Sequence, residues 1–392
     1  MEAFELNALD RVLAALGPPD EVLARERCAY TAIAGDVTNV VIFGYGFLGK
    51  LALSGATNAG LNVVAVADNN SSNWGRTPDG ILVMSPQDAV ARHNRDAAFI
   101  VAIFNSARPR QQLAELGCAK IVPYPIFHWQ FSRFIPMEDG LELPHRILEN
   151  ANEMQRGFRL LGDAASREEF AIQVRWRCSL DYDCLPSPAP LTDMYYAPDL
   201  VRLIPNEVLV DCGAFDGDSI RAFLERTDGV FRRIYAFEPD ANNRARLEAC
   251  ILSLPADQAR RIEVMPFGVG DSDETMSFNL TGAMGSRIAA DGVETIECRR
   301  LDNLLKDPAP TFIKLDIEGA ELEGIHGAAE TIGRTRPIMA VCAYHKCDHL
   351  WKIPVLLNKI LPDYHLFLRR YAEECWETMY YAIPPERLVR HF

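Results

Sequence analysis

Three stretches of this chain bring carboxylates, glycines and a histidine together at spacings that do chemistry. The first is Glu207–Ser219, EVLVDCGAFDGDS, where an apolar run ends at Asp211 and gives way to Gly213, Ala214, Gly217 and Asp218. Glycines placed behind an apolar strand make a tight turn and let a ligand approach the backbone closely. The second, AFEPD, ends another apolar run at Glu238, 27 residues after Asp211. Doubly wound nucleotide enzymes place a carboxylate at that point to accept both ribose hydroxyls, so a nucleoside is expected. The third is Thr311–Glu323, TFIKLDIEGAELE, which sets Lys314, Asp316 and Glu318 about the end of an apolar run and is followed downstream by His345.

Charge selects which nucleoside. A pyrophosphate favours a neutral glycine turn against a helix N-terminus, whereas this turn holds Asp211, Asp216 and Asp218, and anions sharing a low-dielectric crevice repel strongly. A dinucleotide therefore fits poorly. S-adenosylmethionine (SAM) carries no phosphate and presents an ammonium and a sulfonium that acids stabilise.

The elements that position these residues follow from periodicity and punctuation. Strands are predicted at Val208–Val210, Arg233–Phe237 and about Ile262–Met265, with helices at Ser219–Arg226 and Asn242–Cys250. Residues 266–305 alternate as strands, and further strands are predicted at Thr311–Leu315 and Pro337–Tyr344. In such open α/β sheets the chemistry lies at the carboxyl ends of the strands.

The N-terminal part repeats the theme. Short helices before residue 27 are expected to cover a sheet edge; a strand at Val40–Phe43 then enters Gly44-Tyr45-Gly46-Phe47-Leu48-Gly49, a helix follows, and a second strand ends at Asp68, 24 residues after Gly44. Gly44, Gly46, Gly49 and Asp68 form a candidate nucleotide site; the plainer reading is a Rossmann-like turn without a ligand. Strands are also predicted at Ala98–Ile103 and Lys120–Val122. The succession FGYGFLG, VADNN and GILVMSPQD resembles the small nucleotide-binding-type domains found ahead of some sugar-modifying enzymes.

The predicted architecture is α/β, two doubly wound Rossmann-like domains: residues 1–136, a helical connector over 137–205 and a second domain over 206–392. Tyr195 and Tyr196, just before the key strand, either line a crevice mouth or serve as core aromatics, the core being the expectation. With 48% hydrophobic and 24% charged residues the chain suits a soluble enzyme, and a net charge of -14 without a basic cluster argues against nucleic acid. Ten cysteines at irregular spacing, with no CxxC, are expected as reduced thiols. The segment MEAFELNALDRVLAALGPPDE lacks a basic n-region and apolar core, so the expected setting is cytoplasmic, with no membrane partner and a homo-oligomer left open.

In order, VDCGAFDGDS, AFEPD, FGVGDSDETMSF, RRLDNLL, FIKLDIEGAE and AYHKCDHLWKIP resemble the FkbM family of SAM-dependent methyltransferases over roughly Tyr195 to Pro384. The resemblance implies a seven-stranded class I methyltransferase sheet and O-methylation of hydroxyls on sugars or polyketide-type natural products. By position it implies that Asp211, Gly213, Gly217 and Glu238 meet the cofactor and that Lys314, Asp316, Glu318 and His345 serve the acceptor. Many methyltransferases hold adenine with an acid after the third strand; Met265-Pro266-Phe267-Gly268 offers none, and Asp271 is entered in its place as a candidate. No Asn-Pro-Pro-Tyr or Asp-Pro-Pro-Tyr run is present, which counts against an amino-group acceptor.

Methyl transfer is a direct displacement, so the protein mainly aligns the reactants, but a hydroxyl must also lose its proton. His345 is the expected general base, because imidazole titrates near neutral pH and Asp316 is placed to orient it. Asp316 and Glu318 are equally suited to capping the helix that follows. Lys314 alternates away from Asp316 only if strand register holds at the strand end. A magnesium ion at Asp316 and Glu318 is an option, whereas Cys342, His345, Cys347 and His349 match no usual zinc spacing. The alternatives are an NAD-dependent sugar-nucleotide oxidoreductase or isomerase in the first domain, which lacks a Tyr-x-x-x-Lys signature or catalytic Cys, and a non-catalytic sensor of nucleotide or SAM.

Overall fold

The structure is a computed structural model that describes residues 7–75, 80–135, 140–279, 287–288, 294–305 and 307–389. The chain divides into two compact units. One comprises Asp10–Asn150 and Val174–Pro186; the other comprises Met1–Leu9, Ala151–Gln173 and Ser187–Phe392. The expected connector over 137–205 does not stand apart, because its amphipathic pieces pack with different sheets: residues 151–173 join the C-terminal unit and 174–186 return to the N-terminal one. The expected boundary at 136 falls outside the described residues.

In chain order the first elements are α1 (Ala8–Leu16), α2 (Pro19–Ala34), β1 (Asn39–Phe43), α3 (Phe47–Asn58), β2 (Asn62–Ala67), β3 (Val83–Met84), α4 (Pro86–His93), β4 (Ala97–Val101), α5 (Ala107–Glu115), β5 (Ile121–Pro123), α6 (Tyr124–Phe131) and α7 (Pro144–Glu149). The five strands form one parallel sheet in the order β3-β2-β1-β4-β5. NVVIF and AAFIV are continuous apolar runs because both faces of the sheet are covered. Alternate residues serve opposite sides: Val40, Ile42, Ala98 and Ile100 pack into one cluster, and Val41, Phe43, Phe99 and Val101 into another. As expected for the opening helices, α2 packs against the edge strand β5.

Next come α8 (Ala151–Arg159), α9 (Ala164–Ser179), β6 (Val208–Cys212), α10 (Asp218–Arg226), β7 (Arg233–Phe237), α11 (Ala241–Leu252), α12 (Ala256–Ala259), β8 (Ile262–Met265), β9 (Gly268–Val269), β10 (Glu274–Asn279), β11 (Arg287–Ile288), β12 (Glu294–Arg299), α13 (Leu301–Leu304), β13 (Phe312–Leu315), α14 (Glu321–Gly327), α15 (Ala329–Thr335), β14 (Ile338–Cys342), α16 (His349–Ile360), β15 (His365–Arg370) and β16 (Thr378–Ile383). Seven of these strands make a sheet in the order β15-β16-β14-β13-β6-β7-β8, parallel except for β16. This is the doubly wound class I methyltransferase arrangement that the family resemblance implies, with strand order reversing between β6 and β13. The strands expected in residues 266–305 do not join it; they build a separate sheet, β11-β10-β12-β9.

Register places the chemistry. β6 and β13 align Lys314 opposite Asp211, so the two side chains leave one face of the sheet together. β14 ends at Cys342, earlier than expected, and His345 stands in the loop leading to α16.

Candidate functional site

The site lies where β6, β7, β13 and β14 end. Gly213, at φ 81°, follows β6, and a Cβ built there would lie 1.8 Å from the carbonyl oxygen of Asp316. Only glycine permits that approach, so the turn after β6 rests directly on the end of β13. The amides of Gly213 and Ala214 both donate to the carbonyl of Phe237 at 3.0 Å, which fastens the same turn to β7. Gly217, at φ 88°, is the N-cap of α10.

Glu238 sits at the end of β7, 5% exposed. Its two carboxylate oxygens accept from the backbone N–H groups of Phe215 (2.9 Å) and Asp240 (2.9 Å). Burial outweighs these bonds and pushes its pKa up to about 7. The carboxylate thus has one donor to each oxygen. Each oxygen keeps a free lone pair, and two ribose hydroxyls are the donors that would complete it.

The acids of the turn are disposed differently from the sequence expectation. Asp211 is fully buried and does not line the crevice: it pairs with Lys314 Nζ at 2.9 Å and accepts from Ser219 Oγ. Lys314 also donates to the carbonyl of Gly213 at 2.7 Å, and although burial works against its charge, Asp211 and Asp316 hold its pKa above the usual lysine value. Asp216 is paired with Arg221 at 2.9 Å, and Asp218 is exposed at the start of α10. The turn is therefore largely neutralised by its own cations. Ala214 lies in the hydrophobic core, so its side chain cannot meet a ligand. Asp271 is exposed and stands beside Gly327, the last residue of α14.

Asp316 follows β13 and is the meeting point of the acceptor side. Its carboxylate accepts from Tyr195 Oη at 2.6 Å, lies 3.4 Å from Tyr344 Oη and 3.4 Å from His345 Nε2, and stands 3.9 Å from Lys314 Nζ. Lys314 therefore shares the Asp316 side, and its ammonium lies 4.9 Å from the centre of the Tyr195 ring. Glu318 Oε2 is 3.8 Å from His345 Nε2. Tyr195, expected in the core, has a buried ring that reaches the site through its hydroxyl, with its backbone held at φ 68°; Tyr196 is the core aromatic and donates to the Ser219 carbonyl. Glu318 is also left-handed, at φ 54°. Such strained residues cluster at functional sites.

One residue of the candidate site escaped sequence reasoning. Glu321 is completely buried and binds His345 Nδ1 at 2.7 Å, while its Oε1 also accepts from the N–H of Ile317 (3.0 Å) and Gly319 (3.4 Å). It takes the helix-start role expected of Asp316 and Glu318. Burial tends to lower the pKa of His345, but Glu321, Asp316 and Glu318 raise it to about 10. The shift favours the charged ring over the free base that the sequence reading assigns to it. The only available signal was the spacing of a third acid, five residues after Asp316. Among the described residues no group of three or more His, Cys, Asp and Glu is arranged to hold a metal ion, and no helix is long and apolar enough to cross a membrane.

In the N-terminal unit the same local design recurs. Gly44, at φ 98°, leads to Gly46, the N-cap of α3, and a Cβ on Gly49 would lie 1.9 Å from the Gly44 carbonyl oxygen, so helix and strand meet in backbone contact. Asp68, 9% exposed at the end of β2, accepts from the N–H of Tyr45 (2.7 Å) and Asn70 (2.6 Å).

Residues 211–375 match the family model of the methyltransferase FkbM domain. Over 171 residues the chain is 29% identical to the 2-O-methyltransferase NoeI of Sinorhizobium fredii (strain NBRC 101917 / NGR234), an alignment covering 38% of this chain and 68% of that protein. The crystal structure of the methyltransferase FkbM from Methylobacillus flagellatus KT shares the fold, with a TM-score of 0.76 over 96% of this chain and 99% of its own, at 24% identity.

Proposed function

We propose that this chain, which carries a methyltransferase FkbM domain at residues 211–375, transfers a methyl group from SAM to a hydroxyl of a sugar, glycan or natural-product acceptor. The observation that carries the reading is the Gly213 turn, which rests on the carbonyl of Asp316 on one side and is bonded to the carbonyl of Phe237, the residue before Glu238, on the other. A buried carboxylate, Glu238, thus stands on one side of the turn, and the Asp316–His345 pair on the other. That the NoeI relative is a 2-O-methyltransferase supports oxygen as the methylated atom. SAM supplies an activated methyl on a positive sulfur, so the protein has to orient, exclude water and manage one proton. Glu238 would hold the ribose, and Gly213 leaves room for the methionine part. Asp316, fixed by Tyr195, faces the acceptor. Calorimetry tests the cofactor: an unchanged affinity for SAM in Glu238→Ala overturns its assignment. Labelled methyl transfer from SAM into a glycan extract tests the reaction, and absence of labelled product refutes it.

A nucleotide is the proposed ligand of the N-terminal unit. Asp68 repeats the bonding of Glu238, accepting one N–H from the glycine turn and one from the residue two positions on. Here the turn carries no acid, which suits a phosphate. Failure of uridine and adenosine diphosphates to bind, or binding unaltered by Asp68→Asn, excludes it.

A further inference from the structure

The surroundings of His345 fix how its ring works. Nδ1 faces Glu321 at 2.7 Å, and Nε2 faces Asp316 at 3.4 Å and Glu318 at 3.8 Å. Ionised carboxylates only accept hydrogen bonds, and a neutral imidazole has one N–H to give. A ring with carboxylates at both nitrogens is satisfied only when each nitrogen carries hydrogen. Behind Glu321 stands His349, fully buried at the start of α16, with Nδ1 3.1 Å from Glu321 Oε2. The other titratable groups around the ring are accounted for. Lys314 is engaged by Asp211, the Tyr344 hydroxyl faces Asp316 and is held well above its usual pKa by burial, and burial followed by Asp316 pushes Glu377 up to about 7. Between His345 and Glu321 the proton belongs to the histidine, because both histidines hold Glu321 below the usual carboxylate range against the effect of burial.

We propose that Glu321, backed by His349, is a positioning residue that keeps His345 protonated on both nitrogens and aimed at Asp316, so that Asp316 receives the proton of the acceptor hydroxyl. This rests on the methyltransferase reading above. In balance, the acceptor oxygen forms its bond to the methyl carbon with a lone pair, and the O–H bonding pair stays on that oxygen as the proton passes to Asp316. The carbon–sulfur pair departs with the neutral thioether. His345 gains and loses no proton; its Nε2–H stabilises Asp316 in place.

Two-bond 1H–15N spectra of the full chain labelled with 15N-histidine, with His345 assigned through His345→Gln, read the ring without cofactor or acceptor. Both His345 nitrogens are expected to be protonated at about pH 8, where an ordinary histidine is neutral. One bare nitrogen at that pH overturns the proposal, and this measurement needs no Glu321 variant to fold. In Glu321→Gln the ring is expected to titrate in the neutral range, and kcat to fall as pH rises through that midpoint, with the KM for SAM within about twofold of wild type. A rate that instead rises with pH identifies His345 as the base and overturns the assignment to Asp316. Glu321→Asp, which keeps the charge, is expected to restore a kcat independent of that titration. Calorimetry with SAM separates the two readings: absence of binding refutes the methyltransferase reading and leaves the state of the ring decided by the spectra.

Discussion

The raised pKa of Glu238 makes cofactor affinity depend on pH in a calculable way. In the free protein the carboxyl titrates at about 7, because burial outweighs the bonds from Asp240 and Phe215. Ribose hydroxyls donate to the ionised form, so binding should return the group to an ordinary glutamate value of about 4.3. The sign follows: affinity is full above the free pKa and is lost as pH falls through it. At about pH 5 the free carboxyl is some two decades below its midpoint, and affinity should be about 100-fold weaker than at pH 8, or about 2.7 kcal/mol. Calorimetry between pH 5 and 8, repeated in buffers of different ionisation heat, would measure the loss and count the proton released near pH 6. Glu238→Gln removes the titrating group and cancels any titration of the ligand itself. Identical pH dependence in wild type and variant would refute the argument.

Three further outcomes follow from the same geometry. Lys314→Met leaves Asp211 buried without its cation and should cost about 3–5 kcal/mol, lowering Tm by roughly 10 °C in a melting scan; adding Asp211→Asn should recover much of the loss, and an unchanged Tm would contradict the pairing. Gly213→Ala places a methyl 1.8 Å from the Asp316 carbonyl oxygen in a left-handed backbone, so melting temperature and SAM affinity should both fall. If neither moves, the two turns are not in contact. Tyr195→Phe removes the 2.6 Å bond to Asp316 and should lower kcat about 10–100-fold with SAM affinity held within about twofold, as steady-state kinetics and calorimetry can check.

Much of the framework was legible because local spacing reports local structure. Both glycine turns follow buried strands, and Asp68 and Glu238 end the strands after them, as the fixed length of a strand–helix–strand unit requires. What spacing along the chain does not carry is register between distant strands. Asp211 and Lys314, 103 residues apart, look like a ligand-facing acid and an acceptor-side base until the alignment of β6 with β13 makes them a buried pair. With Asp211 and Asp216 paired with cations, Glu238 and Asp316 are the acids that the proposed reading leaves for SAM and its acceptor. Glu321 was hidden for a related reason: an acid near a helix start reads as a cap, and its second partner, His345, comes from a loop 24 residues on. Tyr195 was read by its ring, which is buried, whereas its hydroxyl reaches Asp316.

The division of the chain into interleaved units also governs the order in which it can be built. The N-terminal unit is closed by residues 174–186, which bring Trp176 edge-on to Tyr182 and the Cys178 thiol toward the Pro144 carbonyl. During synthesis those residues emerge only after 151–173, which belong to the other unit, have already left the ribosome. The first unit therefore waits for its last segment, and a chain cut at residue 150 would release an N-terminal fragment that lacks its closing strap.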